Sequence, residues 1–258
     1  MAIIGTLPVT LQNGTVADAN QVMSDFNFIV NQVNANALAN TAVIGGTQLI
    51  NVQVFLVSGT YTPTARTTRA YVEVWGGGGA GGGAPTTGVG QFSIGSGGGA
   101  GAYSRGLIAS PVSGAVVIGP GGLGAAGGNG NTGGTTGFQG LIVCNGGAGG
   151  TTGPSGTSPI TNPGAGGTVA TPGSILNVAG QAGGAGWAYT TGLIGVSGQG
   201  GNSLYSAGGA SVASVNTVGN NGIGFGGGGG SGAFNGASQS DRAGGNGAPG
   251  LIIVYEYA

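Results

Sequence analysis

Glycine is crowded into one zone of this chain, and that crowding limits what the chain can become. Residues 76–250 hold 62 of the 67 glycines in 175 positions, about 35%, a density near that of collagen. The flanks are different material, with 5 glycines in residues 1–75 and none in residues 251–258. Collagen needs glycine at every third position in one unbroken frame, and this chain keeps the frame only in short bursts. Gly121, Gly124, Gly127, Gly130 and Gly133 run in phase, then Gly134, Gly137 and Gly140 take a shifted frame. Gly147, Gly150, Gly153 and Gly156 repeat the pattern, as do Gly180, Gly183 and Gly186, Gly195, Gly198 and Gly201, and Gly244, Gly247 and Gly250. A triple helix is therefore excluded. The spacing predicts short extended helices of the polyproline or polyglycine II type, about three turns each, packed side by side where side chains are missing. Such helices have no internal hydrogen bonds, so their N–H and C=O groups must bond to neighbours or water. Ordering glycine is entropically costly, which requires a cooperative bundle supported at its edges. A flexible Gly linker is the competing reading, but linkers are Gly/Ser-rich and lack the Val, Ile, Leu and aromatic residues interspersed here.

The flanks supply the support. Asn51-Val-Gln-Val-Phe-Leu-Val57 and Arg69-Ala-Tyr-Val-Glu-Val-Trp75 are rich in β-branched and aromatic residues and read as strands, separated by turn-forming Ser58-Gly59 and Thr62-Pro63. Leu251-Ile-Ile-Val-Tyr-Glu-Tyr257 has the same character. If strands 69–75 and 251–257 pair, the glycine zone is one closed excursion, and Glu73 and Glu256 must be offset or face solvent. Weaker strand candidates are Ala102–Ala109, Ala115–Gly119 and Leu141–Cys144. The fold class is thus mainly β and irregular. It has an N-terminal helix and short strands framing packed polyglycine-like segments, divided into residues 1–50 and a glycine-rich domain 51–258.

In residues 1–50, Thr15-Val-Ala-Asp18 has the form of a helix start. Val22, Phe26, Ile29 and Val33 follow at helical spacing, Ala37 continues the face, and Asn20, Gln21, Asn27, Asn31, Gln32, Asn34 and Asn36 occupy the other side. The prediction is a helix over about residues 16–39. It either packs on its own domain or oligomerises, and an uncharged amide face favours the second.

Chemistry is restricted by what is missing. His is absent, all four basic residues are Arg, and charged residues make up 3% of the chain. Nucleophilic triads and Ser–Lys pairs lack their base. The five acids, Asp18, Asp25, Glu73, Asp241 and Glu256, are scattered, whereas paired-carboxylate hydrolysis needs two that converge. One cysteine, Cys144, permits neither an internal disulfide nor a zinc set and reads as a buried inert thiol. Four arginines make no basic stripe for nucleic acid. Gly76-Gly-Gly-Gly-Ala-Gly81 satisfies the dinucleotide fingerprint by composition alone, since Gly82-Gly-Ala-Pro-Thr-Thr-Gly88 follows where a helix should begin. The N-terminus lacks the basic region of a secretory signal, and no apolar run approaches the ~18 residues of a membrane span. No enzyme activity, cofactor, metal or membrane insertion is expected, and a nearly uncharged surface points to life inside an assembly.

Phe55-Leu-Val-Ser-Gly-Thr-Tyr-Thr62, Tyr71-Val-Glu-Val-Trp-Gly-Gly-Gly-Gly79, Gly101-Ala-Tyr-Ser104 and Gly247-Ala-Pro-Gly-Leu-Ile-Ile-Val-Tyr-Glu-Tyr257 occur in that order over residues 51–258. The arrangement resembles the glycine-rich domain of bacteriophage tail-fibre and receptor-binding proteins. That resemblance implies a non-enzymatic adhesin in the virion, made in the host cytoplasm, whose loops bind a bacterial glycan or outer-membrane protein. It also implies that the N-terminal zone attaches to other tail proteins and builds a homotrimer. The glycine bursts here are shorter and more interrupted than those of a regular polyglycine sandwich. A purely structural tail protein is the alternative. An ice-binding protein is a third, but it would need a flat Thr or Ala lattice, which the aromatic and Leu/Ile insertions break.

Large side chains interrupting the glycine bursts are the receptor-contact candidates: Phe92, Trp187, Tyr189, Tyr205 and Phe234, with Asp241 and Arg242 as the polar complement. Trp187 and Tyr189 form the strongest pair, because residues two apart in an extended segment point the same way. Val22, Phe26, Ile29 and Val33 are the oligomerisation candidates.

Overall fold

A computed structural model describes residues 19–45, 48–157, 160–162, 169–171, 173–189, 194–225 and 227–258. In chain order it contains α1 (Ala19–Gly45), β1 (Leu49–Phe55), β2 (Gly59–Tyr61), β3 (Arg69–Trp75), β4 (Ser93–Ile94), β5 (Tyr103–Ala109), β6 (Gly114–Val117) and β7 (Thr136–Phe138). Then come β8 (Ile142–Cys144), β9 (Ile160–Asn162), β10 (Val169–Thr171), β11 (Leu176–Val178), β12 (Gly186–Tyr189), β13 (Ile194–Val196), β14 (Phe234–Asn235) and β15 (Leu251–Tyr257).

The β-branched flanks build a five-stranded antiparallel sheet in the order β1-β15-β3-β5-β11. β3 and β15 pair along their whole length, from Leu251 opposite Trp75 to Tyr257 opposite Arg69, so the two ends of the glycine zone meet. A second sheet, ordered β10-β8-β7-β6-β2, faces the first. Alternation along β3 and β15 sends Ala70, Val72, Val74, Ile252 and Val254 to the shared core, where they meet Tyr61, Val116, Phe138, Ile142 and Cys144. Gly59-Thr-Tyr61, expected as part of a turn region, is instead strand β2, and it places the Tyr61 ring 5.1 Å from that of Phe138.

Between this sandwich and the far end of the molecule the chain runs as polyglycine-like segments, and their bonding repeats every three residues. In residues 76–84, Gly76, Gly79 and Gly82 donate to Ala102, Gly99 and Ser96. Gly77, Ala80 and Gly83 donate to Gly134, Asn131 and Gly128, while Gly78, Gly81 and Ala84 donate to Ala248, Gly245 and Arg242. All nine bonds measure 2.8–2.9 Å. The carbonyls of Gly77 and Ala80 accept from Gly147 and Gly150, those of Gly79 and Gly82 from Gly230 and Ala233, and that of Gly78 from Gly122. Six flanking segments thus surround one central strand, with backbone bonds replacing side-chain packing. Nothing larger fits: a Cβ on Gly79 would stand 2.5 Å from the carbonyl carbon of Ala148 and closer still to its oxygen.

A second apolar core closes the far end, where β4 and β14 pair and Phe92, Ile94, Ala188, Val212 and Phe234 pack together. Over it lies the three-stranded sheet β13-β12-β9. The helix runs six residues beyond its expected end near residue 39, because no glycine interrupts the sequence before Gly45. The proposed cap at Thr15–Asp18 lies outside the described residues. No helix of the described residues is long and apolar enough to cross a membrane.

Glu73 and Glu256 lie on neighbouring strands and are offset, opposite Ile253 and Ala70, as expected, and both are buried. One correction concerns the glycine bursts. The in-phase run Gly121–Gly133 is two antiparallel segments, because the chain reverses at Gly127, whose φ is +62°. Gly134 and Asn131 donate back to Pro120 and Leu123 across that reversal.

Candidate functional site

The molecule has two chemically distinct ends, and the candidate residues divide between them. At the far end, β12 alternates exposed Trp187, buried Ala188 and exposed Tyr189. Ala188 anchors the strand in the second core, so the two rings must both point outward. Their centroids lie 6.2 Å apart at 71°, an edge-to-face arrangement favoured by aromatic quadrupoles. Ile194 on β13 sits directly across from Tyr189 and is also exposed, which widens the pair into an apolar platform. Among the described residues, neither the Trp187 indole N–H nor the Tyr189 hydroxyl makes a hydrogen bond.

Phe92 and Phe234 do not contribute to such a surface. Both are fully buried in the second core, where the short β4–β14 pairing draws them inward against Ile94 and Val212. Tyr205 lies at the opposite end of the molecule, exposed but resting on Trp75 with centroids 5.0 Å apart. Asp241 is exposed, and Arg242 is half-buried with its Nε donating to the Asn216 carbonyl at 3.3 Å. No ring contact, hydrogen bond or ion pair joins either residue to Trp187 or Tyr189 among the described residues.

On α1, Val22, Phe26 and Val33 are exposed and Ile29 is half-buried, so the expected stripe has no apolar cover among the described residues.

The buried titratable groups sit in the sandwich and hold it together. Glu256 accepts from the Tyr61 hydroxyl at 2.7 Å, the Thr64 N–H at 3.0 Å and the Thr64 hydroxyl at 2.6 Å. Burial works to raise its pKa, but hydrogen bonds from Thr64, Tyr61 and Gln53 together outweigh it and hold the carboxyl below its ordinary value. Burial, and then the carboxylate itself, raises the Tyr61 hydroxyl. Glu73 lies on the opposite face of the sheet, accepting from Tyr103 at 2.9 Å and Tyr255 at 3.3 Å, with Arg105 Nε at 3.8 Å. A sheet thus separates the two glutamates, and they cannot converge on one reacting atom. The Cys144 thiol, pushed up to about 12 by burial, donates to the Val74 carbonyl at 3.3 Å. Among the described residues no cluster of His, Cys, Asp or Glu could hold a metal ion.

Sequence reasoning missed the aromatic column at the sandwich end, where Tyr103 and Tyr205 flank Trp75. Cross-strand pairing of Trp75 with Tyr103 creates it, and only the register of β3 on β5 could have shown that.

A sandwich that closes a backbone-bonded polyglycine bundle, with an exposed aromatic platform at the bundle's far end, defines a glycine-rich β domain. A family model for a glycine-rich domain matches residues 55–257, and the chain belongs to that family. A search of the curated proteins finds no match.

Proposed function

We propose that this protein is a non-enzymatic bacteriophage tail-fibre or tail-tip component that binds the bacterial surface. The observation that carries the reading is the polarity of the molecule. The N-terminal helix comes directly before β1 in the chain, and β1 lies at the sandwich end, while Trp187 and Tyr189 stand exposed at the other. An elongated adhesin needs this arrangement, with attachment at one end and contact at the other. The contact chemistry is also limited to what a neutral surface offers. Aromatic faces, amides and hydroxyls grip sugar rings or the loops of an outer-membrane protein through stacking and hydrogen bonds. In this reading the protein is carried in the virion after synthesis in the host cytoplasm. The helix, with its bare Val22, Phe26 and Val33, joins other tail proteins and builds the homo-oligomer, a trimer by the resemblance.

The test is to stain a panel of bacterial strains with a fluorescent fusion of the full chain. Saturable staining of a subset of strains supports receptor binding. Staining of none leaves the structural tail protein as the better reading.

A further inference from the structure

We infer that a cavity at the sandwich end is a binding site for an aliphatic chain with an uncharged head that accepts hydrogen bonds, such as an aliphatic alcohol or a fatty acyl ester. The cavity lies between edge strand β11 and the turn at residues 202–205, and it is walled by Tyr103, Leu176, Val178 and Leu204. Its volume of about 390 Å³ falls within the ~300–1,000 Å³ of small-molecule sites. Strand pairing builds one wall, because Leu176 and Val178 stand opposite Arg105 and Tyr103 and share the outer face of the sheet with them. The turn is fixed above that face. The Ser203 N–H donates to the Ser206 carbonyl at 2.9 Å, and the Tyr205 ring rests on Trp75.

Unmet donors define the head of the ligand. Ser203 lines the cavity, and its buried hydroxyl has no hydrogen-bond partner. Trp75, whose ring centroid lies 4.8 Å from that of Tyr103, is fully buried, and its indole N–H is also unpartnered. Buried donors are rarely left without an acceptor. The exposed lining residues Asn202 and Gln181 spend their side-chain oxygens on the N–H groups of Gly208 and Asn202, at 2.9 and 2.8 Å, which leaves their amide NH2 groups to donate. An acceptor oxygen on the ligand answers all of these groups.

The walls exclude other ligand classes. Among the described residues that line the cavity none is charged. Arg105, across from Leu176, is turned to the β3 side, with its guanidinium carbon 5.3 Å from the centre of the Tyr71 ring and its Nε 3.8 Å from Glu73. A charged head would therefore enter without a counter-charge. The Tyr103 hydroxyl is spent on Glu73 at 2.9 Å, so Tyr103 offers the cavity its ring. Aliphatic walls on the remaining sides would leave most hydroxyls of a sugar unpaired. This site is thus different in chemistry and in place from the platform at Trp187 and Tyr189.

The test is ligand-observed saturation-transfer NMR on the full chain without cells, using 1-alkanols from butanol to octanol. Binding should be saturable and tighten about fourfold per added methylene. Val178→Phe, which fills the cavity from the exposed edge strand, should weaken octanol at least tenfold with unchanged circular dichroism, and Leu204→Phe repeats the test if that variant does not fold. Val117→Phe, an exposed position on the other sheet, should bind as the wild type does. Octanoate should bind at least tenfold more weakly than octanol, and Ser203→Ala should weaken octanol about fivefold, the worth of one hydrogen bond. Co-sedimentation with phosphatidylcholine vesicles separates two sources of such a chain. Co-sedimentation that Val178→Phe abolishes assigns a membrane acyl chain, and octanol binding without it assigns a free amphiphile. No saturable binding of octanol would overturn the inference, as would equal binding by folded Val178→Phe and Leu204→Phe.

Discussion

Gly79→Ala adds a single methyl group and should remove a large part of the protein's stability. The new Cβ would lie 2.5 Å from the Ala148 carbonyl carbon, whereas carbon atoms rest at about 3.5–4.0 Å. Segment 147–150 must therefore retreat by about 1 Å or more. That retreat breaks the bonds from Gly147 to Gly77 and from Gly150 to Ala80, each now 2.8 Å, and strains the bond from Gly99 to Ala148. Losing two bonds costs about 2 kcal/mol net, and stranding their buried donors and acceptors adds ~1–3 kcal/mol per group left unmet. The stiffer unfolded chain returns only about 0.4–1 kcal/mol. A destabilisation of at least about 4 kcal/mol results, out of the ~5–15 kcal/mol that a whole domain has. Urea unfolding followed by tryptophan fluorescence measures it. Gly59→Ala is the control, because a Cβ there meets nothing within 4 Å and the change should stay within ~0.5 kcal/mol. If Gly79→Ala were as stable as the control, close backbone packing would not be what holds the bundle.

Other consequences can be measured on the same preparation. Phe234→Ala should destabilise by ~3–5 kcal/mol, as expected of a core ring and not of a surface contact, and calorimetry would show it. Glu256 is held below its ordinary pKa of 4.5, so its carboxylate contributes in full above that value and the contribution is lost as pH falls through the lower folded value. Tyr61→Phe removes one of the bonds lowering that pKa and should cost ~1.5–3 kcal/mol at neutral pH. Its melting temperature should start to fall at a higher pH than the wild type's, and an identical acid profile would contradict the assignment. Removal of residues 1–40 should give a smaller species in light scattering, and an unchanged mass would show that the Val22–Val33 stripe does not join copies.

Sequence patterns were most informative where many consecutive residues obey one rule. β3 and β15 alternate over seven residues each, and their ends follow from where the glycines begin and stop. The three-residue glycine phase likewise matches the threefold bonding of residues 76–84. Where elements shrink to two or three residues, no period exists to be read. Hence β2, β4 and β14 were not foreseen, and Phe92 and Phe234 looked like loop residues when they are core. Phase alone could not separate a continued segment from a reversal at Gly127, because both keep glycine at every third position. Trp187 and Tyr189 were legible because strand geometry needs only their spacing and the small residue between them. Tyr205 was not, since its place beside Trp75 depends on a distant turn folding back onto the sheet.

The central claim is that the far-end aromatic platform grips the cell. Binding of the fluorescent full chain to a susceptible strain, compared with that of the Trp187→Ala, Tyr189→Ala double variant, tests it most directly. The rings are exposed and their removal opens no core cavity, so circular dichroism and melting should be preserved. Affinity should fall by ~1–3 kcal/mol or more, about fivefold to over a hundredfold, as expected when aromatic hot spots are truncated. Undiminished binding by a folded double variant would contradict the claim and move the contact to another surface.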